Sequence, residues 1–194
     1  MLELENKAAE HVKILFNKLH DEKLVYHNLS HTIQVVTRAE EMVQFYQLSE
    51  NERLIIMVAA WFHDTGHLFA KSLDHEKVSV EIMLDFLIIN KCDSDLIKSM
   101  ADCVMATRLP SNPVLLSEQI LCDADTYHLG TDEFPAINEK VRQELLLRDG
   151  IEMADWNKHS IEFLKMHRFY TSYCLEKLTP GKMNNLKQLE SGRN

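Results

Sequence analysis

The sequence predicts an all-α fold, and three observations carry that expectation. Only 5 glycines and 4 prolines punctuate the 194 residues, so helix-breaking residues are scarce. Apolar residues recur at spacings of three and four, the period of a helix with one buried face. Ser, Asn and Asp stand just before several of these apolar runs, where helix caps belong.

The elements follow in order. "LENKAAEHVKILFNKL" (residues 4–19) reads as a first helix. Ser30 is expected to cap a second, "HTIQVVTRAEEMVQFYQL". Ser49 and Glu52 form a capping-box pattern for a third, "ENERLIIMVAAWFH", whose middle is apolar nearly all round and so should run through the core. "DTGHLFAKSL" reads as a loop hinged at Gly66. Asp74 is placed to cap a fourth helix, "HEKVSVEIMLDFLIIN", and Ser94 a fifth that ends near Thr107. "RLPSNP" is a turn-rich break. "SEQILCDADTYHL" makes a sixth helix stopped by Gly130. A seventh runs from about Glu133 to Asp149, with Pro135 in its first turn and Gly150 after it. The eighth, "MADWNKHSIEFLKMHRFYTSYCLEKL", should end at "TPG", leaving a polar tail that is a short helix or a frayed end.

At 45 % hydrophobic residues the chain can bury one sizeable core, so residues 1–194 are expected to form a single domain. No apolar run is long enough to span a bilayer. The opening "MLELENKAAEHV" carries charges throughout and lacks an apolar signal region, so a cytoplasmic location is expected. Cys92, Cys103, Cys122 and Cys174 are widely spaced in apolar helical contexts and read as reduced thiols. A net charge of −9 argues against non-specific nucleic-acid binding. It does not exclude a small phosphorylated substrate, because a metal ion can invert the sign inside a pocket.

Ten histidines is the unusual count. Potential ligands fall in four short pieces: His27 and His31; His63–Asp64 with His67; His75–Glu76; and Asp123 with Asp125. Imidazole and carboxylate together suit a divalent transition ion. His31 falls at a helix start, and His63–Asp64 at the end of the most apolar helix. Neighbours on a regular helix point about 100° apart, so that pair can share an ion only where the helix ends. A charged Asp64 after "VAAWFH" would cost several kcal/mol without a cation or hydrogen bonds. Asp123 and Asp125 face different ways on one helix, so only one can aim at a given ion. His11, His20, His128, His159 and His167 read as ordinary surface or core residues.

The order H…HD…D on a helical chain of this size resembles the HD-domain superfamily of metal-dependent phosphohydrolases, over about residues 26–130. "YHNLSH" followed by "AAWFHDTGH" is also similar to the motifs of cyclic-nucleotide phosphodiesterases. The resemblance implies a helical HD-type core with additional C-terminal helices, about residues 131–180, packed on it. It implies His31, His63, Asp64 and Asp125 as metal ligands, Asp125 being preferred to Asp123 because it follows the small Ala124. It places His27 as general acid, Asp64 and His67 in the catalytic set, and His67 and His75 where some relatives support a second ion. The ion would be Mn, Fe, Zn, Ni or Mg, with a second, mostly water-ligated ion as an option. Binuclear relatives carry further histidines before the last Asp, where this chain has "MATRLP", and the Gln–Phe specificity segment of the phosphodiesterases has no counterpart. The implied activity is hydrolysis of a phosphate ester or diester of a nucleotide or related small molecule. Arg108 and Lys71 are candidate phosphate contacts, each equally readable as a solvated cation. The alternative is a nucleotide-binding sensor without turnover.

Overall fold

The computed structural model describes residues 2–69 and 74–192. Nine α-helices carry the described fold: α1 Leu2–Lys18, α2 Leu29–Phe45, α3 Glu50–Phe62, α4 His75–Ile89, α5 Ser94–Ala106, α6 Leu116–Asp125, α7 Phe134–Glu144, α8 Trp156–Met166 and α9 Ser172–Glu190. No strand occurs among the described residues. The centre is α3, where Leu54 and the run Ile56 to Phe62 are buried. It packs against α1, α2, α5 and α6, which accounts for its near-continuous apolar sequence. No helix among the described residues is long and apolar enough to cross a membrane. Cys103, Cys122 and Cys174 are buried and free, and burial pushes the Cys103 and Cys174 thiols up to about 12.

The Ser49–Glu52 capping box forms as the sequence predicts. Other helix starts differ by a residue or two. Asn28, not Ser30, caps α2: its Oδ1 accepts from the Ser30 and His31 amides at 2.9 and 3.3 Å. Ser30 lies inside the first turn. Asp93 rather than Ser94 caps α5, and Asp74 precedes α4 without a side-chain cap. Both corrections follow one rule: the residue whose oxygen can turn back onto the N2 and N3 amides is the cap.

Gly66 is not a loop hinge. It sits in a 3-10 turn, Thr65–Leu68, and a Cβ there would lie 2.0 Å from the His75 carbonyl oxygen. Glycine therefore lets this turn press onto the start of α4, with the Gly66 amide donating to Ser79 Oγ at 2.8 Å. The expected sixth helix breaks after Asp125 into a 3-10 turn, Tyr127–Gly130. The seventh ends at Glu144 and widens into a π turn, Leu145–Asp149, closed by Gly150 at φ +67°.

The expected eighth helix is two helices. Its backbone leaves the helix at residues 167–171 because Asp123 captures it there. The Asp123 carboxylate accepts from the Tyr170 and Thr171 amides at 2.9 and 2.8 Å and from Thr171 Oγ1 at 2.6 Å. Thr171 in turn caps α9. The helix then continues through Pro180, where "TPG" predicted its end. An internal proline costs about 3 kcal/mol, and tertiary contacts offset it. Leu178, Leu186 and Leu189 are buried, and Asn185 Nδ2 donates to the Leu129 and Thr131 carbonyls at 3.0 and 2.9 Å. A Cβ at Gly181 would meet the Gly130 oxygen at 2.0 Å, so two glycines set this close approach.

Asp123 is thus an anchor for the α8–α9 connection. Asp123→Ala should lower stability by about 2–4 kcal/mol, the scale of stranding buried donors, while leaving the capacity to bind metal. Thermal melts and metal analysis of Asp123→Ala beside Asp125→Ala check this. Metal loss confined to Asp123→Ala would assign the ligand to the wrong aspartate.

Candidate metal centre

Four side chains from separate parts of the chain converge where helices end. His31 stands in the first turn of α2, held there by the Asn28 cap. His63 directly follows α3, and Asp64 leaves the helix at φ −108° before the Thr65–Leu68 turn. Asp125 is the last residue of α6. The chain thereby resolves the 100° problem of adjacent ligands: His63 is still helical while Asp64 is not.

His31 Nε2 lies 3.1 Å from Asp125 Oδ1 and 3.3 Å from Asp64 Oδ2. His63 Nε2 lies 3.2 Å from Asp64 Oδ2 and 3.7 Å from Asp125 Oδ1. One ligand atom from each of the four residues falls within 4.8 Å of every other. The His63 ring is oriented by its Nδ1, which donates to the Ala60 carbonyl at 2.8 Å. That bond leaves Nε2 as the coordinating end, the usual arrangement of a ligating histidine.

The donor set fits a cation. His63 Nε2 and Asp64 Oδ2 are buried without a hydrogen-bond partner among the described residues. Their separation is that of two lone pairs facing a shared centre. Unpaired buried polar atoms of this kind are costly, and a mixed nitrogen and oxygen set suits a divalent transition ion. Among the described residues, this cluster answers the question that Asp64 raises after so apolar a helix.

Electrostatics of the ion-free cluster follow from the same contacts. Burial pushes His31 and His63 down, but the Asp64 and Asp125 carboxylates more than reverse it and raise both rings. Burial pushes Asp64 and Asp125 up, and the imidazoles reverse that, holding both below the usual carboxylate range. Stability from the raised histidines is fully present below their unfolded pKa and is lost as pH rises through the folded value. Stability from the depressed carboxylates is present above their unfolded pKa and is lost as pH falls through the folded value. A bound ion takes the place of the imidazole protons. The rise in melting temperature on adding Mn²⁺ should therefore be small near about pH 5 and grow toward about pH 8. Calorimetric scans across that range test it, and a pH-independent rise would contradict it.

A second group adjoins the first through Asp64, comprising His27, Asp64 and His67. The His27 and His67 rings stack at 4.1 Å between centroids, and His67 and His75 at 3.9 Å. His67 Nδ1 accepts from the Arg148 guanidinium at 2.6 Å. Burial, then the charge of His27, hold His67 well below the usual histidine range. A neutral ring that accepts on Nδ1 carries its proton on Nε2. In this arrangement His67 is a hydrogen-bond donor toward the cleft rather than a metal ligand. Its Nε2 lies 3.8 Å from Asp64 Oδ1.

His27 is paired with Glu144, which the sequence reading missed. Its Nδ1 lies 2.5 Å from Glu144 Oε1, and Glu144 Oε2 accepts from the Tyr26 and His27 amides at 2.7 and 2.9 Å. Glu144 is buried. Burial pushes it up, and the bonds from His27 and the two amides hold it below its ordinary value. The signal was present in the sequence: Phe134, Ile137, Val141 and Glu144 share one helical stripe, so this glutamate occupies an apolar position. Arg148 follows one turn later and was also missed.

These groups line a cleft of about 350 Å³ that also includes His75, Glu76, Thr107 and Arg108. Arg108 is exposed on its rim, after the end of α5. Glu76 is buried with Oε2 unpartnered among the described residues. Lys71 lies outside the described residues. Asp123 is engaged elsewhere, as described above. Among the histidines taken as ordinary, His20 is exposed and His11 packs against Phe62 and Phe86. His128 departs from that reading. Burial pushes it down to about 4, and its Nδ1 meets the Tyr26 hydroxyl at 3.2 Å beside the cluster.

A helical bundle that brings His, His-Asp and Asp to one point defines a class of helical metal-site domains. Residues 28–130, more than half of the chain, match the family model described as HD domain. The chain belongs to the HD-domain family. Comparison with curated proteins and with solved structures finds no match.

Proposed function

We propose that the chain is a divalent-metal-dependent phosphohydrolase acting on an ester of a small phosphorylated molecule, with nucleotides as the leading substrate class. The observation that supports this most is the pairing of two things across one cleft: an ion-binding cluster and a separate proton-handling dyad, His27–Glu144. A nucleotide sensor has no use for the dyad.

His31, His63, Asp64 and Asp125 would hold the ion, with Mn, Fe, Zn, Ni and Mg as candidates. Bound there, a divalent ion supplies Lewis-acid polarisation of a phosphoryl oxygen and activates water. His27 is the donor to the leaving oxygen, a role suited to imidazole near neutral pH. Glu144 orients the ring through Nδ1 and leaves Nε2 as the end available to substrate. His67 donates a further hydrogen bond from Nε2. Arg108 offers the guanidinium fork that recognises phosphate, and Lys71 remains a second cationic candidate. The free, mostly buried cysteines fit a reducing compartment such as the cytoplasm.

The test is turnover of purified protein on nucleoside monophosphates, cyclic nucleotides and small phosphomonoesters. Activity should vanish on chelation and return with Mn²⁺. Nucleotide binding at full metal occupancy with no turnover of any ester would favour the sensor instead.

A further inference from the structure

Beside the metal cleft lies a second chamber of about 260 Å³ that shares His27, Leu109 and Asp125 with it. Its far wall comes from Phe134, Asn138, Trp156, Ser160 and Phe163. These residues belong to α7 and α8, beyond the segment that matches the HD-domain family. The wall carries no lysine, arginine or glutamate, and the chamber's one carboxylate is Asp125 at the shared boundary. A second phosphate or other charged group is therefore unsuited to this end. The volume falls below the roughly 300–1,000 Å³ of pockets that enclose a whole ligand. It fits one ring system whose remainder lies in the adjoining cleft.

Two polar features give the chamber a preference. The Trp156 indole Nε1 is buried without a hydrogen-bond partner among the described residues, and indole nitrogen is a donor only. Asn138 Oδ1 accepts from Ser160 Oγ at 3.0 Å, which leaves the amide NH₂ as the end not engaged by Ser160. Both therefore offer N–H donors within aromatic walls.

We propose that this chamber binds a single planar, uncharged heterocycle bearing hydrogen-bond acceptors, the base of a nucleoside phosphate, while the phosphoryl group lies over the His/Asp cluster. The proposal rests on the phosphohydrolase reading for the placement of the phosphate. It makes the C-terminal helices the determinant of substrate choice.

Calorimetric titration of the Mn²⁺-loaded protein tests it. The probes are a ribonucleoside monophosphate, the same ribose phosphate without its base, phenyl phosphate and butyl phosphate. The base should tighten binding by about tenfold or more, the scale of stacking and burying one ring. Phenyl phosphate should outbind butyl phosphate. Asn138→Trp, which fills the chamber, should bring the nucleotide-to-ribose ratio toward one. If that variant fails to fold, Phe163→Arg at a half-exposed position serves the same purpose. Trp156→Phe should lower the nucleotide ratio and spare the phenyl-to-butyl ratio. Equal binding with and without the base, or a ratio unmoved by filling the chamber, would overturn the assignment. Turnover is read separately. A base preference without hydrolysis would overturn the phosphohydrolase reading and leave the chamber standing, and hydrolysis without a base preference would do the reverse.

Discussion

Asp64→Ala should empty the metal centre and reduce turnover to below about 1 % of wild type, a larger loss than the roughly 10–100-fold that follows removal of a mere supporting partner. Asp64 reaches both halves of the site: Oδ2 lies against His31 and His63, and Oδ1 faces His67 and His75 at 3.8 and 3.7 Å. No other side chain among the described residues belongs to both ligand groups. The variant should still fold, because removing a buried carboxylate together with its unpartnered oxygen also removes a desolvation cost. Elemental analysis of the purified variant checks the metal, and a melt checks the fold. Metal content equal to wild type would remove Asp64 from the centre.

His27→Gln should slow turnover by about 10²–10⁴-fold on an ester with an alkoxide leaving group and leave the metal in place. The loss should shrink on a nitrophenyl ester, whose leaving group departs without protonation. Glu144→Gln keeps the shape of the side chain and removes the charge that orients His27. It should lower kcat by about 10–100-fold, as loss of an orienting partner does, with little change in KM. The double variant should be no slower than His27→Gln alone, because Glu144 acts through that ring. Multiplied losses, or equal losses on both leaving groups, would mean that Glu144 and His27 hold the loop before α2 and handle no proton.

The contrast between the two aspartates shows what was legible in the chain. The helical periodicity, the Ser49–Glu52 box and the grouping of His31, His63, Asp64 and Asp125 could be read because each depends on local spacing and on the cost of a charge in an apolar run. The role of Asp123 could not. Its partners, the amides of Tyr170 and Thr171, lie far along the chain, and their capture by a carboxylate splits what periodicity draws as one helix. The helix through Pro180 was hidden for a similar reason, since the packing of Gly181 on Gly130 overrides a local stop signal. Glu144 stood on an apolar stripe, which is a usable signal once such exceptions are sought. His128 and Trp156 gave no sign at all, because the chamber they line forms only when α7 and α8 close over the α6 end.

The most direct test of the account is anomalous diffraction from crystals of the Mn²⁺-loaded protein. The account predicts a manganese peak bounded by His31 Nε2, His63 Nε2 and the carboxylates of Asp64 and Asp125, with His27 and Glu144 paired and not coordinated. A peak at any other place on the chain, with that cluster empty at full metal loading, would contradict it.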